Sequence, residues 1–259
     1  MERIRRFAAL AYGVSCYAIF FVTFLYLIGF IGNLFVPKTI DSGETGPIGI
    51  ALVIDCALLA LFGLQHSVMA RPGFKAWFTR VVPRSIERST YVLASSVVLI
   101  LTFWAWRPIP IEMFSFESAI GRGTALGVYF AGYGLVLYST FLIDHFDLFG
   151  LRQVFLRAMG RGYTEKRFAT PTLYKLIRHP IYVGWFVAFW AAPTFTVGHL
   201  LFAGAMTAYM LIAIPLEERD LADQLGEPYL TWRAKTPAFV PRFGRPRRTQ
   251  PARVGGTGS

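Results

Sequence analysis

The amino-acid sequence predicts an all-α fold: a polytopic integral membrane helical bundle of about six spans, with a polar pocket at its cytoplasmic end. Three observations carry this. The 259 residues are 54% hydrophobic and only 16% charged, whereas a soluble domain is about a quarter charged. The apolar residues gather into runs near the roughly 20 residues that cross a bilayer. Arg and Lys concentrate in alternate connections, and basic connections mark the cytoplasmic side. The net charge of +11 therefore reads as topology and contact with membrane lipid, not as nucleic-acid binding, because the basic residues flank apolar spans.

The first run, 10–36, is rich in Phe, Leu and Ile and follows Arg3, Arg5 and Arg6. It exceeds a signal-peptide core and lacks a small-residue cleavage site, so it reads as span one. A connection holding Lys38, Asp41 and Glu44 leads to span two, 48–70. The next connection is basic, with Arg71, Lys75, Arg80, Arg84 and Arg88 against Glu87. Span three, 90–106, ends in Trp104 and Trp106, both expected at the interface where amphipathic rings settle. A mixed connection with Arg107, Glu112, Glu117 and Arg122 precedes span four, 124–143. The segment 144–179 carries Arg152, Arg157, Arg161, Lys166, Arg167, Lys175 and Arg178. Its apolar residues, among them Leu151, Val154 and Phe155, suggest a helix lying on the membrane surface. Spans five and six, 181–196 and 199–216, form a hairpin. Span five is short for a crossing, so five spans plus a re-entrant hairpin is the alternative. Six spans put both termini in the cytoplasm. Cys16 and Cys56 lie inside spans and read as small buried apolar residues.

Ionisable groups inside spans are costly and mark functional candidates. Here they gather at one end. His66 closes span two, Asp144 and His145 close span four, His179 opens span five, and Glu217 and Glu218 close span six. Asp55 lies deeper, eleven residues before His66; that is about 16 Å and three turns, so the two share a helix face. Each candidate also has a plain structural reading. Asp55 is then a neutral acid tied to a neighbouring helix, and Gln65-His66-Ser67 an interfacial helix end. Asp144-His145-Phe146-Asp147 is then a charged terminus with Asp147 capping the surface helix. Arg178-His179-Pro180 is then a proline-started helix behind a topology-setting arginine. Glu217-Glu218 fits least well, because a helix C-terminus disfavours anions; a ligand or a buried partner is expected there. No metal is expected: no two histidines stand at i, i+4 and no thiolate lies at this end.

The residues Arg178-His179-Pro180-x-Tyr182-x-Gly184, then an apolar hairpin, Glu217-Glu218-x-x-Leu221, Gly226-x-x-Tyr229-x-x-Trp232 and Pro237 resemble the isoprenylcysteine carboxyl methyltransferase superfamily. Further upstream, Gly29-Phe30-Ile31-Gly32-Asn33, Gln65-His66-Ser67-Val68-Met69-Ala70-Arg71-Pro72, Glu87-Arg88-Ser89-Thr90-Tyr91 and the run from Asp144 to Gln153 resemble a narrower group. This is the NnrU-related branch of that superfamily, the bacterial methanethiol S-methyltransferases, and the likeness runs to about Pro241. The resemblance implies S-adenosylmethionine as cofactor, a small volatile thiol as substrate, dimethyl sulfide and S-adenosylhomocysteine as products, and a bacterial inner (cytoplasmic) membrane. It also implies one integral domain over 1–241, with 1–143 on the substrate side and 144–241 binding the cofactor, before a disordered basic tail, 242–259. Cofactor contacts are implied for Leu176, Arg178, His179, Pro180, Tyr182, Gly184, Glu217, Glu218, Leu221, Tyr229 and Trp232. His179 and Tyr182 would meet the methionine or ribose part, Glu217 and Glu218 the ammonium or ribose hydroxyls, and Tyr229 and Trp232 the adenine. Trp232 stands where Tyr is common in the superfamily, and Trp185 follows the motif glycine, so altered packing is expected at both.

A thiol attacks as thiolate, and an unperturbed Cys thiol has a pKa of about 8.5. His66 is the first candidate base, with Asp144 or His145 orienting it or relaying the proton; Asp55 facing the thiol is the competing choice. The rival acceptors are an isoprenoid carboxylate or a lipid. The non-enzymatic rival is an NnrU-like transport or accessory protein, which would line a route through both leaflets; polar residues gathered at one end argue against it.

Overall fold

The computed structural model describes residues 1–164 and 168–241; Lys166, Arg167 and the expected tail 242–259 lie outside the described residues. The chain runs through α1 (Glu2–Gly32), α2 (Ile48–Ala70), α3 (Pro72–Phe78), α4 (Arg84–Ala105), β1 (Glu112–Ser115), α5 (Ala119–Ile143), α6 (His145–Leu148) and α7 (Leu151–Ala158). A 3-10 turn at Thr172–Lys175 leads to α8 (Pro180–Trp190), β2 (Thr194–Thr196), α9 (Val197–Leu225) and α10 (Glu227–Lys235). The protein is a multi-pass helical membrane protein. Among the described residues five helices are long and apolar enough to cross a bilayer: α1, α2, α4, α5 and α9.

The remaining traverse is composite. From Val197 to Glu217, α9 rises about 30 Å at the usual helical pitch. The start of α8 is tied to that level by His179, whose Nε2 lies 2.8 Å from Glu218 Oε1. The end of β2 joins the start of α9 directly. Residues 180–196 therefore cover a similar height, and the 11 residues of α8 supply only about half of it. The rest is non-helical, and Pro193 to Thr196 take their backbone partners from the loop after α4. β1 and β2 pair antiparallel, with Ser115 opposite Thr194 and Phe114 opposite Phe195. Phe116 N donates to Pro193 O at 3.1 Å, and Gly198 N to Ile109 O at 3.0 Å. Backbone groups away from water must be satisfied inside the protein, and this ribbon does that. Span five is thus neither a full helix nor a re-entrant turn.

Aromatic side chains fill the centre. Phe24 of α1 meets Tyr133 of α5 and Trp185 of α8 at ring separations of 5.8 and 6.1 Å. Phe30 packs on Phe103 and Trp106. Trp106 is 1% exposed and its Nε1 donates to Ile40 O at 3.0 Å. The expectation of an interfacial ring thus fails for Trp106, because the indole finds its acceptor inside the bundle; Trp104, 76% exposed, does face outward. Cys16 is buried, but Cys56 is exposed, which corrects the expectation for that residue: it faces away from the bundle. The helix expected on the membrane surface is α7; one of its faces docks on protein, while Phe155 stays exposed. Its Gln153 and Val154 are buried, and Val154 lies so close to Gly13 of α1 that a Cβ there would fall 2.6 Å from Val154 Cγ2.

α5 and α8 touch backbone to backbone. A Cβ on Gly132 would fall 2.6 Å from Ala188 N, and one on Gly184 would fall 2.8 Å from Gly132 O. Gly132→Ala is therefore expected to lower stability by about 1–3 kcal/mol, the usual cost of overpacking. Gly134, with nothing within 4 Å of its would-be Cβ, is the control. Thermal unfolding in detergent should show a lower midpoint for Gly132→Ala and little change for Gly134→Ala. Equal midpoints would refute the close contact.

Candidate active site

Glu217 and Glu218 lie inside α9, which continues to Leu225 and ends at Gly226 with φ 62°. The helix dipole at a terminus is therefore not what acts on them; their lateral neighbours are. Glu218 Oε1 accepts from Arg178 Nε at 2.7 Å and bonds His179 Nε2 at 2.8 Å. Arg178 also donates to the carbonyls of Arg233 and Thr236, at 3.2 and 2.6 Å. The backbone N–H groups of Arg178 and His179 donate to Pro237 O and Ala238 O. The segment after α10 is thereby laced to the start of α8. One turn along α8, Tyr182 donates to Glu217 Oε2 at 2.7 Å.

α10 opens with Pro228 in its first turn, where the missing N–H costs nothing. It presents Tyr229 and Trp232, with ring centroids 5.5 Å apart. Phe168 stands 6.0 Å from Tyr229 and 5.5 Å from Trp232, and Trp232 Nε1 donates to Tyr174 O at 2.9 Å. The hydroxyls of Tyr229 and Tyr174 are buried without a partner among the described residues. Burial, reinforced by Glu218, pushes the Tyr229 hydroxyl up to about 12. Burial and then Glu217 raise Tyr174. Both remain neutral donors. Orphaned buried hydroxyls are rare, and here two lie within the electrostatic influence of the paired acids. A polar ligand bearing a cation, hydroxyls and a flat apolar ring system fits this donor and acceptor set.

His66 sits in the last turns of α2. Its Nδ1 lies 3.1 Å from Ser95 Oγ, and Ser95 donates its one proton to Tyr91 O at 3.1 Å. Ser95 therefore accepts from Nδ1–H, which leaves Nε2 as an unprotonated acceptor facing the Tyr91 hydroxyl at 2.9 Å. The tautomer follows from the partners. Phe62 stacks on the imidazole at 5.3 Å, and Tyr209 of α9 approaches edge-on. Tyr91 and Tyr209 are also within electrostatic reach of Tyr182. At the end of α2, Arg71 pairs with Asp220 at 2.8 Å. The histidine is thus linked to the Glu217–Tyr182 edge of the cluster through its ring neighbours Tyr91 and Tyr209.

His145, Asp144 and Asp55 lie elsewhere. His145 is 3% exposed. Its Nδ1 bonds Thr140 Oγ1 and its Nε2 bonds Tyr17 OH, both at 2.8 Å, so it ties α6 to α5 and α1. Asp144 holds a φ of 144° and accepts from Asp147 N at 3.2 Å. Asp144, not Asp147, is therefore the cap, while Asp147 pairs with Arg152 at 3.2 Å. Asp55 is fully buried and accepts from Arg107 N at 2.9 Å, at the far end of the bundle. Gly184 faces α5, Pro180 is buried at the start of α8, Leu176 is half exposed, and Leu221 is partly buried on α9. Among the described residues no group of His, Cys, Asp and Glu is placed to hold a metal. Tyr91, Ser95, Tyr209, Phe168 and the Arg71–Asp220 pair carried no signal of their own as site residues: single aromatics and hydroxyls in apolar runs read as core, and Arg71 read as topology.

Burial depresses the His145 pKa below the unfolded value of about 6.5. The unfolded chain then takes up the proton first as pH falls. The associated stability is fully present above about 6.5 and is lost below it. Unfolding midpoints should fall between pH 7.5 and pH 5, and His145→Gln should flatten that slope. An unchanged slope would remove His145 as its source.

No protein-family model matches the chain, and no solved structure matches it. Its relatives include methanethiol S-methyltransferase of Crocosphaera subtropica, 50% identical over 242 residues, 93% of this chain and 95% of that protein. Methanethiol S-methyltransferase 1 of Bradyrhizobium diazoefficiens is 51% identical over 240 residues, 93% of this chain and 84% of that protein. Methanethiol S-methyltransferase of Mycobacterium tuberculosis is 48% identical over 238 residues, covering 92% and 98%.

Proposed function

The chain belongs to the methanethiol S-methyltransferase family, and on that premise we propose that its methyl donor is S-adenosylmethionine, held around Glu217 and Glu218, with His66 as the base for the thiol proton. The reaction is methyl transfer to methanethiol, giving dimethyl sulfide. The observation that carries the reading is one convergence. Two tethered carboxylates, two orphaned buried hydroxyls and an aromatic trio gather around one end of α9, whose Tyr209 meets a histidine with an unprotonated Nε2.

When bound, the donor supplies a methyl group activated by a sulfonium. The chain's residues do the rest. Tyr182 and Arg178 each occupy one oxygen of Glu217 and Glu218, leaving the other oxygens for an ammonium and for ribose hydroxyls. Tyr229, Trp232 and Phe168 cover the adenine by stacking and exclude water. His66 takes the thiol proton at Nε2, after the Tyr91 hydroxyl turns away or by relay through it. Nδ1–H, bonded to Ser95, holds the ring as its charge develops. Thiol and product both partition into lipid, which accounts for an enzyme built inside a bilayer. The basic connections at the His66 end support a reading in which this site and both chain ends face the cytoplasm from the bacterial inner membrane.

Purified enzyme tests this directly. Calorimetric titration with S-adenosylmethionine should give one site, and product analysis with a panel of thiols and an isoprenoid carboxylate should give dimethyl sulfide from methanethiol. Absence of S-adenosylmethionine binding would sink the donor assignment; methyl ester formation in place of dimethyl sulfide would sink the acceptor.

A further inference from the structure

A cavity of about 310 Å³ opens between α1, the start of α4 and α7, and the proposed active site does not use it. Arg5, Ala8 and Tyr12 form one wall, Ser85 and Ile86 a second, and Arg157 the third. Its charges are poorly compensated. Arg5 has no ion pair among the described residues. Arg157 reaches only Glu2, at 3.8 Å, and that carboxylate is shared with Arg6 at 3.3 Å. Glu87 in the first turn of α4 is the other acid nearby in sequence, and it does not line the cavity.

Two further features point the same way. Ser85 Oγ is buried with no partner among the described residues, and it lines the cavity. α4 starts at Pro83 with no side-chain cap; Ile86 N donates to Pro83 O at 3.0 Å, so the N–H groups of Arg84 and Ser85 are those left for an anion. Tyr12 adds a hydroxyl, held 3.0 Å from Thr90 Oγ1. Two guanidinium groups, a free hydroxyl and an uncapped helix start make a phosphoryl-binding set. Ala8 and Ile86 give the same cavity an apolar side.

We propose that this cavity binds the phosphate headgroup of an anionic membrane lipid. A lipid fits better than free phosphate for two reasons. The cavity opens at the basic end of the bundle, which the proposed topology sets at the cytoplasmic headgroups, and basic pockets between spans on that side take anionic lipids. Its apolar wall suits the glycerol and the first methylenes of an acyl chain. A bound headgroup joins three elements that otherwise meet through few polar contacts there. It also steadies the start of α4, two turns before Tyr91.

The test uses the full chain in detergent, with lipid retention read by native mass spectrometry. Phosphatidylglycerol and phosphatidylcholine are the probes, with excess inorganic phosphate as competitor. The double variant Arg5→Gln with Arg157→Gln should lose about tenfold of the preference for phosphatidylglycerol, given two basic contacts near the membrane surface. The charge-matched control Arg3→Gln with Arg80→Gln should keep it. Ser85→Ala, which leaves every charge in place, should lose roughly tenfold, as expected for one hydrogen bond to a charged group. Unfolding midpoints confirm that each variant is folded. Equal loss in cavity and control variants, or no loss in the cavity variants, overturns the site. Displacement of the lipid by inorganic phosphate overturns the lipid as its occupant.

Discussion

His66→Ala lowers kcat by about a hundredfold or more, the usual contribution of a positioned general base, while S-adenosylmethionine binding stays close to that of the parent enzyme. The split follows from the geometry. His66 bonds Ser95 and Tyr91 and makes no bond to Glu217, Glu218 or the aromatic trio. The deficit should also depend on pH. A thiol with a pKa above about 8.5 becomes its own nucleophile as solution pH rises, so the gap between parent and variant narrows. A merely structural defect would leave a constant gap. Tyr91→Phe removes the hydroxyl facing Nε2, and its effect separates relay from direct transfer: a relay loses turnover, whereas direct abstraction keeps it. If His66→Ala turns over normally, and Asp144→Ala and His145→Ala do too, no base is needed and positioning accounts for the rate.

Glu218→Ala abolishes binding of the donor at ordinary concentrations. Its Oε1 joins Arg178 to His179, and the side chains of Arg178 and Glu218 are only 18% and 14% exposed. Removing one partner of such a pair leaves a buried charge uncompensated and costs about 3 kcal/mol or more. Where that cost falls on the bound state it is about a hundredfold in Kd. Arg178 keeps the carbonyls of Arg233 and Thr236, so the α10 segment stays attached and the protein folds. Glu218→Asp, one methylene shorter, should bind measurably better than Glu218→Ala. Calorimetric titration decides: binding within threefold of the parent would show that Glu218 is only a strut.

Much of this architecture was legible in the sequence because a bilayer demands long apolar runs and sorts basic residues to one side. The gathering of His66, His145, His179 and the paired acids at one end was legible for the same reason. Which of them converge was not. His66 and His145 both close a span beside a polar residue, and both hold the same tautomer in the fold. Lateral packing separates them: α2 lies against α4 and α9, whereas the end of α5 meets α1 through Tyr17. Residue type along one helix carries no record of that choice. Tyr91 and Tyr209 were hidden because an aromatic in an apolar run reads as core. The last third was legible chiefly through its resemblance to a known superfamily, and there Gly184 shows the limit of a motif: the structure places it against Gly132. Thr194-Phe195-Thr196 was too short to signal a strand, since its partner lies some eighty residues earlier.

That ribbon bears on how the chain enters the membrane. A segment that closes its own hydrogen bonds can be released into lipid as soon as it is made. Residues 180–196 cannot, because the last of them, Pro193 to Thr196, depend on the loop after α4 for backbone partners. The earlier spans must already be across, with β1 on the far side, before this segment has anywhere stable to go. α8 is therefore delivered together with α9, late in synthesis, onto a preassembled four-helix frame. The step that completes the hydrogen bonding of Pro193 to Thr196 is the same step that brings His179 level with Glu218. Correct insertion and assembly of the proposed donor site are one event, so a chain stalled before it lacks the His179–Glu218 contact.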